Sequence, residues 1–311
     1  MPFLASFACL WCGTSYTTRS GDDLEGWAQL CPDCVGKAGD NGFLRFRLRQ
    51  ALTERSVASS VTGVGTPASV DKGERAAAAT AVASATELDG AMVEYYEARA
   101  PEYDDWYLRR GRYERGAVHD AAWNAELDAA GRWLDGLPWS GEIVELAAGT
   151  GWWSPLLASR GELSLYDTSP AALDRARERL VAHGLRAHLH VRDAWAEPDR
   201  QVDGLFAGFW LSHVPRDRLG AFLALVHRWL KPGGRFAFID SLADPASGAA
   251  DHPAPADDRA TRRLDDGRSF TIVKVFYEPE ALATALIEAG FEARDVSTTG
   301  RFFVLGSATA R

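Results

Sequence analysis

Apolar positions in this chain gather into short runs, separated by longer stretches in which apolar and charged residues mix. The runs "EIVELA" (142–147), "LSLYD" (163–167), "HLHV" (188–191), "GLFAGFWL" (204–211) and "RFAFID" (235–240) have the length of strands. Between the second and third, "SPAALDRARERLVAHG" reads as a helix, with Ser169 as N-cap, Pro170 at the first helical position and Gly184 past its end. Another helix is expected over 216–230, followed by the turn "KPGG". Strand, helix, strand at this spacing predicts parallel crossovers, and so an α/β fold with a doubly wound, mostly parallel sheet. Two helical segments, 91–110 and 113–136, come before this alternation. Its end is different: "FTIVKVF" (270–276) and a helix near 279–289 lead to "EARDVST" and "RFFVLGSA", joined at Thr299-Gly300 as a hairpin.

The N-terminal part carries another pattern. All four cysteines lie within its first 34 residues, as "CLWC" (9–12) and "CPDC" (31–34). Two such knuckles can place Cys9, Cys12, Cys31 and Cys34 around one tetrahedral Zn²⁺. Four thiolates close the coordination sphere, so the zinc expected here is structural. A disulfide pair or a redox motif is disfavoured, because cytosolic chains rarely keep disulfides and no thioredoxin-like βαβ pattern surrounds either knuckle. Residues 1–55 are therefore expected to form a zinc ribbon. Residues 56–90 contain almost no large apolar side chain and read as an Ala/Ser/Gly-rich linker to the domain at 91–311.

Charge narrows the partners. The 311 residues carry a formal net charge of -9, which gives no electrostatic reason to expect binding to phosphate backbones. Arg45, Arg47 and Arg49 alternate with apolar residues in "FLRFRLRQAL", yet six Lys/Arg balance six Asp/Glu across residues 1–55. No apolar run reaches membrane-spanning length, and the first residues lack the pattern of a secretory signal, so a cytoplasmic protein is expected.

Candidate chemistry gathers at the strand ends, where ligands of open parallel sheets bind. "AAGTG" follows the first strand, and Gly149 and Gly151 there let a ligand approach the backbone. Glu145 lies in that strand, Asp167 ends the second, Asp193 follows the third, and Phe209-Trp210 end the fourth. Acids so placed can accept hydrogen bonds from ammonium, ribose and adenine amino groups, and they repel phosphate. A nicotinamide dinucleotide is disfavoured, since "GTGWWSP" lacks the third glycine of the pyrophosphate loop.

Residues ~92–308 resemble a class I S-adenosylmethionine-dependent methyltransferase, a Rossmann-like fold with a seven-stranded, mostly parallel sheet. "VELAAGTG" is similar to the first motif of that family, "LYD" to its ribose-binding acid, "RDAW" to its adenine loop and "LKPGGRFAFID" to its fifth-strand segment. Ala147 stands where the family usually has glycine. The resemblance implies that Glu145 orients the methionine ammonium through the loop, that Ala147, Gly149 and Gly151 line the cofactor, and that Asp167 takes the ribose hydroxyls. It likewise implies that Asp193 and Ala194 read adenine, with Phe209 beside the site. "YYEARAPEYD" (95–104) is similar to the helix that folds over the cofactor in many small-molecule methyltransferases, with Tyr96 and Tyr103 near the sulfonium and Arg99 facing the methionine carboxylate.

His213 in "FWLSHVP" is the leading candidate for a base, and His119 the second. Trp152, Trp153, Trp195 and Trp210 fall near the expected site, although tryptophan is more often core than cage. No cysteine follows Cys34, which removes a cysteine nucleophile from this domain, and no "DPPY" or "NPPY" follows the fourth strand. The expected acceptor is a small molecule, flat or partly apolar. The alternatives are RNA, selected by the ribbon in an arrangement similar to ribosomal RNA guanine methyltransferases, and a non-catalytic cofactor-binding protein.

Overall fold

The structure, a computed structural model, describes residues 6–8, 14–17, 89–253 and 255–311. Two units divide the chain, Met1–Lys72 and Gly73–Arg311. In the first, β1 (Ser6–Ala8) pairs antiparallel with β2 (Ser15–Thr17), with Phe7 opposite Tyr16. Cys9, Cys12, Cys31 and Cys34 lie outside the described residues, as does most of the expected linker.

In the second unit, β3 (Glu142–Leu146), β4 (Glu162–Asp167), β5 (His188–Val191), β6 (Val202–Gly208), β7 (Leu230–Ser241), β10 (Phe291–Thr298) and β11 (Phe303–Ala310) form one sheet. Its order is β10-β11-β7-β6-β3-β4-β5. The first five strands in sequence pair parallel, while β11 runs antiparallel to both β7 and β10. The sheet is therefore mixed at one edge, where the chain turns back through Thr299 and Gly300. Strand order reverses at β3, which has β4 on one side and β6 on the other, and this opens a crevice at the carboxyl ends of these strands.

Both faces of the sheet are buried. Val144, Leu146, Leu205, Phe236 and Phe238 face one apolar cluster, and Ile143, Leu165, Phe206, Ala237 and Ile239 face the other. Strands buried on two sides need continuous apolar runs, which is the pattern of the sequence. Helices cover each side. The α3 helix (Ala117–Gly136) buries Trp123, Leu127, Ala130 and Leu134 at helical spacing, and α5 (Pro170–Ala182) buries Ala172, Leu173, Ala176 and Leu180. Across the sheet lie α6 (Leu219–Trp229) and α7 (Pro279–Glu288).

Several elements differ from expectation. The segment expected as one helix over 91–110 is two: α1, helical over residues 89–99, and α2 (Tyr103–Leu108). Pro101 removes an N–H and disfavours helical backbone in the residue before it, so the chain breaks there. The short α4 (Ser154–Ala158) follows the glycine loop. "KPGG" is absorbed into β7, where the pairing with β6 shifts register between Val202 and Gly204. "FTIVKVF" does not join the main sheet. Its first part forms β9 (Ser269–Val273), paired antiparallel with β8 (Arg259–Arg263) in a separate hairpin.

Candidate active site

The turn after β3 is built from left-handed backbone. Ala147, Gly149 and Gly151 have φ of 51°, 55° and 71°. At Gly149 an added Cβ would meet nothing within 4 Å, whereas at Gly151 it would lie 2.7 Å from the Cβ of Ala176 on α5. Gly149 thus borders open space, and Gly151 lets the loop pack on the helix. The Gly149 N–H donates to Asp167 Oδ2 at 2.8 Å, and the Ser169 N–H donates to Asp167 Oδ1 at 2.8 Å. Burial pushes the Asp167 carboxyl up to about 6 despite these donors.

One cavity runs along these strand ends. Its walls include Ala147, Gly149, Asp167, Asp193, Ala194 and Phe209, together with Tyr96 and Tyr103 from the helices above. Met92, Thr150, Trp195 and Trp210 complete it, and sequence reasoning did not single out the first two. Asp89, also in this wall, pairs with Arg218 at 3.4 Å, and that guanidinium lies 4.2 Å from the Trp195 ring centre. Among the described residues, three carboxylates and no lysine or arginine line the cavity. Such a lining suits a cationic ligand with hydroxyl and amino donors. Trp210 adds a buried indole N–H without a partner among the described residues. The residues present therefore fit S-adenosylmethionine.

Three of the residues expected at the cofactor, Gly151, Glu145 and Arg99, do not line this cavity. Glu145 is buried beneath the loop, where its Oε2 accepts from the Ser154 hydroxyl at 2.6 Å, and it lines neither cavity. Burial pushes it up to about 8, against the opposing effect of that hydrogen bond. Arg99 lines the neighbouring cavity. Its guanidinium lies over the Tyr103 ring at 4.4 Å, and its Nη2 donates to the Tyr113 hydroxyl at 3.3 Å.

That second cavity has a volume of about 590 Å³. It is bounded by α1 and α2, by the chain after β7, and by the β8–β9 hairpin with the residues that follow it. Tyr96, Tyr103, Phe209 and His213 line both cavities and form the place where they meet. Phe209 has φ of 56°, an uncommon value for a bulky residue, held by its N–H donating to the Ile239 carbonyl at 2.7 Å.

His213 ends a short 3₁₀ turn, Leu211–His213, after β6. Its Nδ1 lies 2.7 Å from the Val273 carbonyl oxygen, which can only accept, so Nδ1 carries the proton. Its Nε2 lies 2.7 Å from the Tyr96 hydroxyl and accepts from it. Burial holds the imidazole well below its usual range, and Lys274 pushes the same way. The ring is therefore neutral, with Nε2 directed at Tyr96. His119, the second candidate, lines neither cavity and packs against Phe302 with ring centres 5.2 Å apart.

The tryptophans divide. Trp152 stacks on Tyr107 with ring centres 4.2 Å apart, and Trp153 packs at the end of β6, where a Cβ on Gly208 would lie 2.8 Å from it. Neither lines a cavity. Their role is to support the wall behind Phe209, while Trp106, which the sequence did not single out, lines the larger cavity.

Comparison with known proteins agrees with this architecture. The "Methyltransferase domain" family matches residues 143–234. Over 168 residues the chain is 30% identical to the ubiquinone/menaquinone biosynthesis C-methyltransferase UbiE of Coxiella burnetii (strain Dugway 5J108-111), covering 48% of this chain and 66% of that protein. Over 130 residues it is 36% identical to a dimethylglycine N-methyltransferase of Parasynechococcus marenigrum (strain WH8102), covering 40% of this chain and 44% of that protein. It thus spans just under two thirds of the first and under half of the second. The solved DhpI-SAM-HEP complex shares 30% identity with a TM-score of 0.56, covering 71% of this chain and 97% of DhpI. On the strand order, the glycine loop and these likenesses together, the chain belongs to the class I S-adenosylmethionine-dependent methyltransferases.

Proposed function

We propose that this protein transfers a methyl group from S-adenosylmethionine to a small molecule held in the 590 Å³ cavity. The observation that carries this reading is the meeting of two differently lined cavities at Tyr96, Tyr103, Phe209 and His213. The relatives named as methyltransferases support it, and a cavity of this size suits a small ligand.

When bound, S-adenosylmethionine supplies an electrophilic methyl group on a sulfonium. Asp167, with both oxygens oriented by backbone N–H groups, would hold the ribose hydroxyls, and Asp193 with Ala194 would hold the adenine end. Tyr96 and Tyr103 would present ring faces to the positive charge and exclude water from the transfer path. Placing the acceptor atom in line is the main catalytic task, and the shared wall performs it by shape. A proton leaving an acceptor atom would pass to the Tyr96 oxygen as Tyr96 passes its own to Nε2 of His213. In this reading His213 acts through Tyr96 and need not touch the acceptor.

The test uses cofactor labelled in its methyl group, incubated with cell extract separated into small-molecule, RNA and protein fractions. Label in the small-molecule fraction is expected. Label confined to RNA would overturn the reading. Calorimetry with S-adenosylhomocysteine should show Asp167→Ala weakening binding while the fold survives, and unchanged affinity would remove Asp167 from the site.

A structural zinc held by Cys9, Cys12, Cys31 and Cys34 belongs to the same proposal. It rests on the spacing of the two knuckles and on the position of the first pair, which falls in sequence between β1 and β2. Elemental analysis should find about one zinc per chain. A metal-free protein with an intact N-terminal unit would refute it.

A further inference from the structure

The larger cavity is aromatic on one side and cationic on the other, and among the described residues Arg99 and Arg262 form no ion pair, with Glu102 acting on Arg99 only at longer range, while Lys274 has one long pair with Asp240. Arg99 is 8% exposed, and its Nε has no hydrogen-bond partner among the described residues. Its one side-chain hydrogen bond among the described residues goes to the Tyr113 hydroxyl. Arg262, on β8, bonds among the described residues only the carbonyl of its neighbour Thr261, at 3.1 Å. Lys274 donates to the hydroxyls of Ser212 at 2.8 Å and Ser241 at 3.3 Å, and the nearest carboxylate oxygen, on Asp240, is 4.0 Å away. Asp240 is itself committed to the N–H groups of Ser212 and Ser241.

Of the other charges in this wall, all but Asp257 are paired among the described residues. Arg216 pairs with Asp258 at 2.8 Å, and Asp244 pairs with Arg301 at 2.7 Å. Asp257 is exposed to solvent. The three cations also feel one another. Burial lowers Lys274 to about 8, and Arg262 and Arg99 push it further down while Asp240 opposes them. Burial likewise lowers Arg262, with Arg99 acting in the same direction and Tyr95 against it. Unpaired like charges held together in a partly desolvated cavity are costly, and an anion among them offsets the cost.

Building on the proposed methyl transfer, we infer that the small-molecule acceptor carries an oxyanion, a carboxylate or a phosphonate or phosphate group, seated among Arg99, Arg262 and Lys274. Two guanidinium forks and an ammonium match the oxygens of such a group, and the aromatic side beside them takes the rest of the molecule. The group is the recognition handle, and it orients the acceptor toward the wall shared with the cofactor cavity.

The experiment titrates acetate and methylphosphonate, as probes, into the full-length protein with and without saturating S-adenosylhomocysteine. Binding of at least one probe is expected, with affinity lowered about tenfold or more in Arg262→Gln and largely restored in Arg262→Lys, as the loss of a charge-assisted contact requires. Affinity for S-adenosylhomocysteine should stay within about twofold in both variants. Preference for one probe identifies the class of oxyanion. Absence of binding by either probe, or equal affinity in Arg262→Gln, overturns the inference. Failure of S-adenosylhomocysteine to bind sinks the methyl-transfer reading instead, and the titrations without it still report on the anion site. Arg262 sits on a peripheral hairpin and is partly exposed, so its replacement leaves the sheet intact, and thermal melting of each variant verifies this.

Discussion

Ala147 is held at φ 51°, where the Cβ of an L-residue crowds the following carbonyl at a cost of roughly 1–2 kcal/mol. Glycine relieves that cost and gives back part of it as chain entropy in the unfolded state. Ala147→Gly should therefore stabilise the protein by up to about 1 kcal/mol in chemical denaturation. A loss of stability would show that the Ala147 methyl makes packing contacts worth more than the strain. Glu145 gives a second prediction at this scale. Its folded-state value of about 8 lies above the usual 4.5, so between those values the folded protein binds more protons than the unfolded chain. Its contribution to stability is complete below 4.5 and is lost as pH rises through about 8. Glu145→Gln cannot ionise. Its Tm relative to the wild type should rise between about pH 5 and about pH 9, and a constant difference would place the ionised carboxylate at no disadvantage.

Among the elements, α2 lies over the glycine loop through one side chain. Asp104 accepts from the Thr150 hydroxyl at 2.6 Å and from the Arg179 guanidinium, whose Nε also donates to the Thr150 carbonyl at 3.1 Å. A charge-assisted tie of this kind contributes about 1.5–3 kcal/mol when partly buried. Asp104→Ala should weaken S-adenosylhomocysteine binding about tenfold without changing the far-UV spectrum, because α2 bounds the cofactor cavity through Tyr103. Unchanged affinity would show that the lid closes on packing alone. The elements that carry the sheet were legible in the sequence, since strands buried on both faces must be apolar throughout and the crossover helix at 170–182 announces its ends. The last hairpin was legible from Thr299-Gly300, although its connection is longer than that pair and runs over 299–302. The β8 strand was not, because "RATRR" has no apolar alternation and is ordered only by its pairing with β9. Arg262 and Lys274 shared that difficulty. Read locally, each is an ordinary surface cation, and only the fold brings them beside Arg99. Arg99, expected to face the methionine carboxylate, lines the larger cavity, and a helix pattern leaves open which of two adjoining spaces a residue faces. Asp167 and Asp193, the acids read at the strand ends, do line one cavity, because a parallel sheet places all such ends in one crevice.

Across the whole domain, carboxylates line one of two adjoining cavities and unpaired or weakly paired cations the other, and for the proposed reaction this predicts a pH window. In that reaction Asp167 would have to be ionised to accept two hydroxyl donors, and its value of about 6 predicts that cofactor affinity declines as pH falls through that point. Lys274 must be protonated to attract an oxyanion, and its value of about 8 means that acceptor affinity declines as pH rises through that point. The two limbs belong to different ligands, so they can be separated. Cofactor titrations should show only the acid limb, whereas turnover at subsaturating acceptor should show both, as a bell with its maximum near neutrality. Arginine stays charged throughout this range, so Lys274→Arg should keep the acid limb and move the basic limb upward by at least about one pH unit. If the basic limb stays where it was, it reports a group other than Lys274. Tyr96→Phe tests the proton relay separately and should lower turnover by roughly 10² across this pH range while the affinity for S-adenosylhomocysteine is kept.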